Sequence, residues 1–140
     1  YKPYVKKNID KIEKIQIMAT KIIHYRCFNK GKKFSYKEVL KTLELKSLQE
    51  RRLINDLVLY HKIIHNLVRI NPRSKPVVRR LRSRISIYSE VCKNTIRYNS
   101  FFVRMPRIYT KLPSEITTSP SSIFTFKQNL SNMNLSNFLT

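Results

Sequence analysis

One glycine, Gly31, stands in a chain of 140 residues, and that scarcity constrains the fold more than any other feature. Glycine supplies positive φ and close backbone approach without steric cost, which tight hairpins and phosphate-cradling loops require. A Walker-A loop, a dinucleotide fingerprint and a KH-type GxxG clamp each need clustered glycines, so all three are excluded. A many-hairpin β barrel is a poor fit for the same reason. Hydrophobic residues make up 41% and aromatics 11%, which is enough to bury a core and too much for a disordered basic tail. A mostly α fold is what remains.

The periodicity agrees. Over residues 8 to 26, Ile9, Ile12, Ile15, Ala19, Ile22 and Ile23 recur every three or four positions, one stripe of a helix. Asn8 is the expected N-cap, with Asp10 near the positive end of the helix dipole. The opposite face carries Lys11, Lys14, Lys21 and Arg26, and the helix is expected to end before Asn29-Lys30-Gly31, where Gly31 can turn left-handed. Ser35 with Glu38 and Ser47 with Glu50 both have capping-box spacing. The first predicts a short helix through about Leu43, with Val39, Leu40 and Leu43 inward. The second predicts a helix from Leu48 to Val68 whose apolar side is Leu48, Leu53, Leu57, Tyr60, Ile64 and Leu67, ended by Asn71-Pro72. Three such helices with short connections make a small basic helical bundle.

The second half changes character. The net charge is +21, and it is unevenly spread. Residues 1–72 hold 17 Lys and Arg against six acids (+11), residues 73–107 ten against Glu90 alone (+9), and the rest two against one (+1). Such an excess points to a polyanion partner. Arg79, Arg80, Arg82 and Arg84 fall within six residues, just after Pro76, Val77 and Val78, which favour extended backbone. In a strand, Arg80, Arg82 and Arg84 project to one side and can track a phosphate backbone, whereas on a helix they spread around the cylinder. A nuclear-localisation signal or plain solvated charge is the competing reading. Tyr88, Tyr98, Phe101 and Phe102 are interleaved with Lys93, Arg97 and Arg104, an arrangement that lets rings stack on unpaired bases, although Phe101 and Phe102 read first as core.

A short helix is expected over residues 100–110, stopped by Leu112-Pro113. Ser119-Pro120 should open another that packs Ile123, Phe124, Phe126 and Leu130. The expected organisation is a helical module over 1–70, a basic, partly extended segment over 71–99 able to hold short strands, two short C-terminal helices over 100–132, and a frayed tail over 133–140.

No catalytic constellation emerges. His61 and His65 have the i, i+4 spacing of two zinc ligands, but no acid lies between them and neither cysteine has a partner at ligand spacing. They and His24 are read as surface or packing residues. Nuclease and polymerase chemistry needs clustered acids to hold divalent metals, and the eight acids are dispersed. Cys27 and Cys92 are far apart, with no signal-peptide pattern ahead of them, so reduced thiols in an intracellular setting are expected. No run approaches the roughly 18 apolar residues of a membrane span, and no membrane partner is expected. The start at Tyr1 suggests processing or a fragment.

The order of short motifs adds a family resemblance. Tyr1-Lys2-Pro3-Tyr4, then Asp10-Lys11-Ile12-Glu13-Lys14-Ile15-Gln16 and Ala19-Thr20-Lys21, resemble the segment that follows the polymerase palm in non-LTR retrotransposon reverse transcriptases. Leu43-Glu44-Leu45, Ser47-Leu48-Gln49-Glu50-Arg51-Arg52, Asp56-Leu57 and Tyr60-His61-Lys62-Ile63 continue the match. So do Arg82-Ser83-Arg84, Asn99-Ser100-Phe101-Phe102-Val103-Arg104, Leu112-Pro113 and Phe126-Lys127. Tyr109-Thr110 stands where the family usually has Trp-Asn, and the glycine that commonly follows the Tyr60–Ile63 block is absent. The resemblance implies the C-terminal, thumb-adjacent piece of an endonuclease–reverse transcriptase of jockey-like type, acting in nucleus and cytoplasm. The parent would be an RNA-directed DNA polymerase whose divalent metals sit in an upstream palm, with no cofactor and no catalytic residue in this segment. Its partners would be RNA and DNA, as template–primer or target, and the upstream polymerase domains. The expected backbone contacts are Lys6, Lys7, Lys11 and Lys14 with Arg79, Arg80, Arg82 and Arg84. The rival expectation is a scaffold that packs on the palm without touching nucleic acid.

Overall fold

With glycine all but absent, helices in this chain must end by other means, and two of them end in the same way. The computed structural model describes residues 5–28, 33–71, 76–80, 85–118 and 122–139. Helix α1 (Lys6–Ile23) runs into a π-helical turn, His24–Phe28. It is followed by α2 (Tyr36–Thr42), α3 (Leu48–Ile64), strands β1 (Val78–Arg80) and β2 (Ile85–Ile87), α4 (Thr95–Tyr98), α5 (Phe101–Tyr109), α6 (Ser114–Thr118), α7 (Ile123–Asn132) and a 3-10 turn, Ser136–Phe138. The fold is mostly α, as expected, with one two-stranded sheet among the described residues. It divides into two compact units, residues 1–52 and 53–140.

Glu44 closes α2 at φ 52° and Asn66 closes α3 at φ 57°. In each, the next residue reaches back five positions, Leu45 N–H to the Leu40 carbonyl and Leu67 N–H to the Lys62 carbonyl, both at 2.8 Å. Glu44 N–H donates to Lys41 and Asn66 N–H to Ile63. This is the Schellman arrangement, which usually places glycine at the left-handed position. Asparagine tolerates that conformation through its short polar side chain, so α3 stops at Ile64 rather than near Val68, and Leu67 is exposed instead of packed. The expected stop at Gly31 and the Ser119-Pro120 cap lie outside the described residues. Ser122 takes the cap role at α7, accepting from Phe124 N–H at 3.3 Å. At α3, the Ser47 hydroxyl accepts from Glu50 N–H at 3.2 Å as the capping box predicts, but the Glu50 carboxylate pairs with Lys46 at 2.8 Å instead of returning the bond. Ser35 precedes α2 without a side-chain cap bond, and α1 starts two residues before the expected Asn8 cap, at Lys6.

In the first unit, the seam along α1 is polar. Gln16, Thr20 and His24 are buried and Glu13 is half-buried. The Glu13 carboxylate accepts from the Tyr36 hydroxyl at 2.6 Å and from Leu48 N–H at 3.4 Å, while Gln16 donates to the Lys46 carbonyl at 3.1 Å. Burial, then the Glu13 carboxylate, push the Tyr36 hydroxyl above its usual range. These bonds orient the helix, so the predicted isoleucine stripe is turned partly outward: Ile9, Ile12 and Ile23 are half-buried, but Ile15 is 67% and Ile22 52% exposed. Of the α2 residues expected inside, Val39 is buried and Leu40 is half-buried, as is Leu43 just beyond.

The second unit has the larger core: Leu53, Ile54, Leu57, Tyr60 and Ile64 of α3, Ile87 of β2, Met105 and Tyr109 of α5, Leu112, and Phe126 and Leu130 of α7. Phe124, expected inside, is exposed, because it follows the Ser122 cap on the outer side of α7. The expected frayed tail instead carries Leu135, which is fully buried, with Met133, Phe138 and Leu139 packed against the same core. Four apolar side chains outweigh the polar character of the residues between them.

His61 lies inside this core, its ring stacked on Phe126 at 3.9 Å between centroids and its Nδ1 hydrogen-bonded to the Tyr109 hydroxyl at 2.8 Å. Burial, then the neighbouring His65, lower its pKa from 6.5 to about 4. The folded state therefore keeps His61 neutral where an unfolded chain would take up a proton. Stability is full above about pH 6.5 and falls as pH drops toward about 4, by roughly 3 kcal/mol over the whole window at ~1.4 kcal/mol per unit. Urea unfolding at pH 7.5 and 4.5 should show this fall, and His61→Phe, which keeps the stack but cannot titrate, should show a smaller one. Glu44→Gly should raise stability by about 1 kcal/mol, because it removes the Cβ penalty of the left-handed site; thermal unfolding reads the change directly.

Candidate nucleic-acid interface

The polar seam of α1 decides where its lysines go. With Gln16, Thr20 and His24 turned inward, Lys7, Lys11, Lys14 and Lys21 fall on the far side of the cylinder at spacings of four, three and seven. They span about 21 Å along the axis at 1.5 Å per residue. All four are exposed, as is Lys6 beside the first of them. Of the residues expected at this helix, Lys7, Lys11 and Lys14 share this row, whereas Lys6 is exposed beside Lys7 but about 100° round the cylinder. Lys21 belongs to the same row, and the helical spacing was the signal for it. Among the described residues, three ion pairs form, and none uses these lysines.

The arginine cluster falls only partly within the described residues. Strands β1 and β2 pair antiparallel, with Val78 opposite Ile87, Arg79 opposite Ser86 and Arg80 opposite Ile85. Arg80 is the last residue of β1, and Arg82 and Arg84, with the one-sided row expected of them, lie outside the described residues. Because side chains alternate along a strand, burial of Ile87 fixes the register of faces. Val78 packs with Ile87 toward the core, and Arg79 with Ser86 points away from it. Tyr88 N–H donates to the Val77 carbonyl at 3.0 Å, extending the outer face by one more pair. A groove of about 440 Å³ opens there, lined among the described residues by Val77, Arg79, Ser86 and Tyr88. Val77, named only for extended backbone, and Ser86 were not expected at a site, although the alternation Val77-x-Arg79 and Ser86-x-Tyr88 carries the signal.

Other basic and aromatic candidates are engaged within the fold. Arg104 pairs with Asp56 at 2.7 Å, and both side chains are largely shielded from solvent. Arg97 pairs with Glu90 at 2.8 Å, and Arg107 lies 3.5 Å over the Tyr98 ring while donating to the Tyr98 carbonyl. Phe101 is half-buried, edge-on to Tyr60 at 6.0 Å, as its reading as core implies, whereas Phe102 remains exposed. Tyr88 is 68% exposed and makes no ring contact among the described residues, which leaves its face open.

His61 is committed to Tyr109 and Phe126, so the pair His61–His65 acts as core packing. Among the described residues, no three His, Cys, Asp or Glu side chains come close enough to hold a metal ion. Cys27 and Cys92 are free thiols. No described helix is long and apolar enough to cross a membrane. Among the described residues, the arrangement offers exposed cations and, at the hairpin, the exposed ring of Tyr88. No protein-family model matches this chain, and neither the curated proteins nor the solved structures contain a match.

Proposed function

We propose that this chain is the C-terminal, thumb-adjacent region of a non-LTR retrotransposon reverse transcriptase, where it holds RNA and DNA by their backbones without catalytic residues of its own. The observation that carries the proposal is the row of lysines on α1, exposed and, among the described residues, without acid partners. The ordered motifs supply the family, and Arg79 on the outer face of the hairpin adds a second cationic surface. Divalent metal would belong to the upstream palm.

Such contacts release counterions, so each phosphate neutralised steepens the log–log salt dependence by about 0.9 on duplex DNA. Replacing Lys6, Lys7, Lys11 and Lys14 with Gln should weaken binding across sequences alike and reduce the slope by up to about 3–4. Titration of duplex DNA and of an RNA–DNA hybrid at several salt concentrations measures both; an unchanged slope would remove these lysines from the interface.

A scaffold role is the second reading, favoured by one observation. Ile15, Met18 and Ile22 lie 67%, 65% and 52% exposed along α1 beside the lysine row, an apolar face suited to an upstream domain. A chain that fails to bind the hybrid at moderate salt but docks stably on its polymerase would be that scaffold.

A further inference from the structure

The outer face of the hairpin has a composition that simple charge neutralisation does not require. Its residues are Val77 and Tyr88 as one cross-strand pair and Arg79 and Ser86 as the next. Arg79 and Tyr88 are therefore diagonal neighbours on one face, a relation that separates residues by about 7–8 Å. A duplex backbone needs only the cation. An exposed ring beside it, over an apolar neighbour and next to a hydroxyl, suits a ligand with both a flat apolar surface and a negative charge. The groove volume of about 440 Å³ lies in the range of small-ligand sites and can take one base with its sugar.

The electrostatics favour the same ligand. Residues 73–107 hold ten Lys and Arg against Glu90 alone, and Glu90 is already bonded to Arg97 through both carboxylate oxygens. No acid therefore lines the described part of the groove to repel a phosphate. Among the described residues no neighbour covers the Tyr88 ring, in contrast to Tyr98, which lies beneath Arg107.

We propose that this hairpin face is a single-strand site, in which one unpaired base stacks on Tyr88 while its adjoining phosphate meets Arg79. The Ser86 hydroxyl lies within the same groove and can hydrogen-bond sugar or phosphate. The site deepens the nucleic-acid reading and rests on it: it discriminates unpaired from paired strands, which the α1 lysines do not. Base identity is not read, because every base presents a stacking face.

The test uses the full 140-residue chain with three probes: an oligo-uridylate, a blunt DNA duplex of equal length and polyglutamate as a featureless polyanion. Stacking of one base predicts that Tyr88→Ala weakens oligo-uridylate binding about tenfold, or ~1.4 kcal/mol, and leaves the other two within about twofold. Tyr88→Phe should restore the single-strand affinity, and Arg79→Gln should weaken it. Thermal unfolding checks that the exposed substitutions leave the fold intact. Equal losses on all three probes, or no loss on the single strand, overturn the hairpin site while leaving backbone binding standing. Absence of binding to any nucleic acid overturns both readings together.

Discussion

Carboxylates are the scarce component of this chain, eight against 29 lysines and arginines, and much of the tertiary geometry follows from where they go. Glu13 gathers the Tyr36 hydroxyl and the Leu48 N–H, so one side chain positions α2 and the start of α3 against α1. Asp56 receives Arg104 across 48 positions of sequence and ties α5 to α3. Glu90 fixes Arg97 with two bonds, and Glu50 takes Lys46 at the start of α3. The Asp56–Arg104 contact is the most shielded of the three ion pairs among the described residues and should carry most of their weight, since exposed pairs contribute little. Acids used this way are not left to neutralise the lysines of α1. A self-repelling surface is the cost, and an anionic partner relieves it.

The polar clamp also accounts for the least legible helix in the sequence. A period of three to four isoleucines is sound evidence for a helix, and α1 is one. Periodicity does not say which side is inward when polar residues on another side have specific partners thirty or more positions away. Gln16 meets Lys46 and Glu13 meets Leu48, and no local pattern announces either. In α3 the local and tertiary signals agree: Leu53, Leu57, Tyr60 and Ile64 are buried as the spacing implies. Its end was hidden because a left-handed asparagine, rather than the downstream Asn71-Pro72, terminates it. The tail misled for a related reason. Leu135 and Phe138 are too few to form a periodic signal, yet each finds the core of the second unit.

Site residues divide along the same line. The α1 lysines were legible because an exposed helical row needs only spacing and solvent. The hairpin was legible as extended backbone but not as a reversal, since the chain offers no glycine or Asn-Gly pair there to announce a turn. A one-sided row of arginines and a two-sided ribbon differ in what faces solvent, and in the described residues Ile87 and Val78 lie inward and Arg79 outward with Tyr88. Composition alone cannot separate those arrangements, because both contain the same cations.

The two cationic surfaces consequently differ in kind. Lysines on α1 are flexible point charges on an apolar-edged helix, a surface that attracts any phosphate backbone and orients none. Arg79 is held on a paired strand beside a hydroxyl and an open ring, so a ligand there would have to satisfy charge and stacking at once. A protein that must hold both paired and unpaired strands gains from having the two kinds on separate elements, since salt or substitution can weaken one without altering the other. Affinity would then come mainly from the helix, and the distinction between paired and unpaired strands from the ribbon.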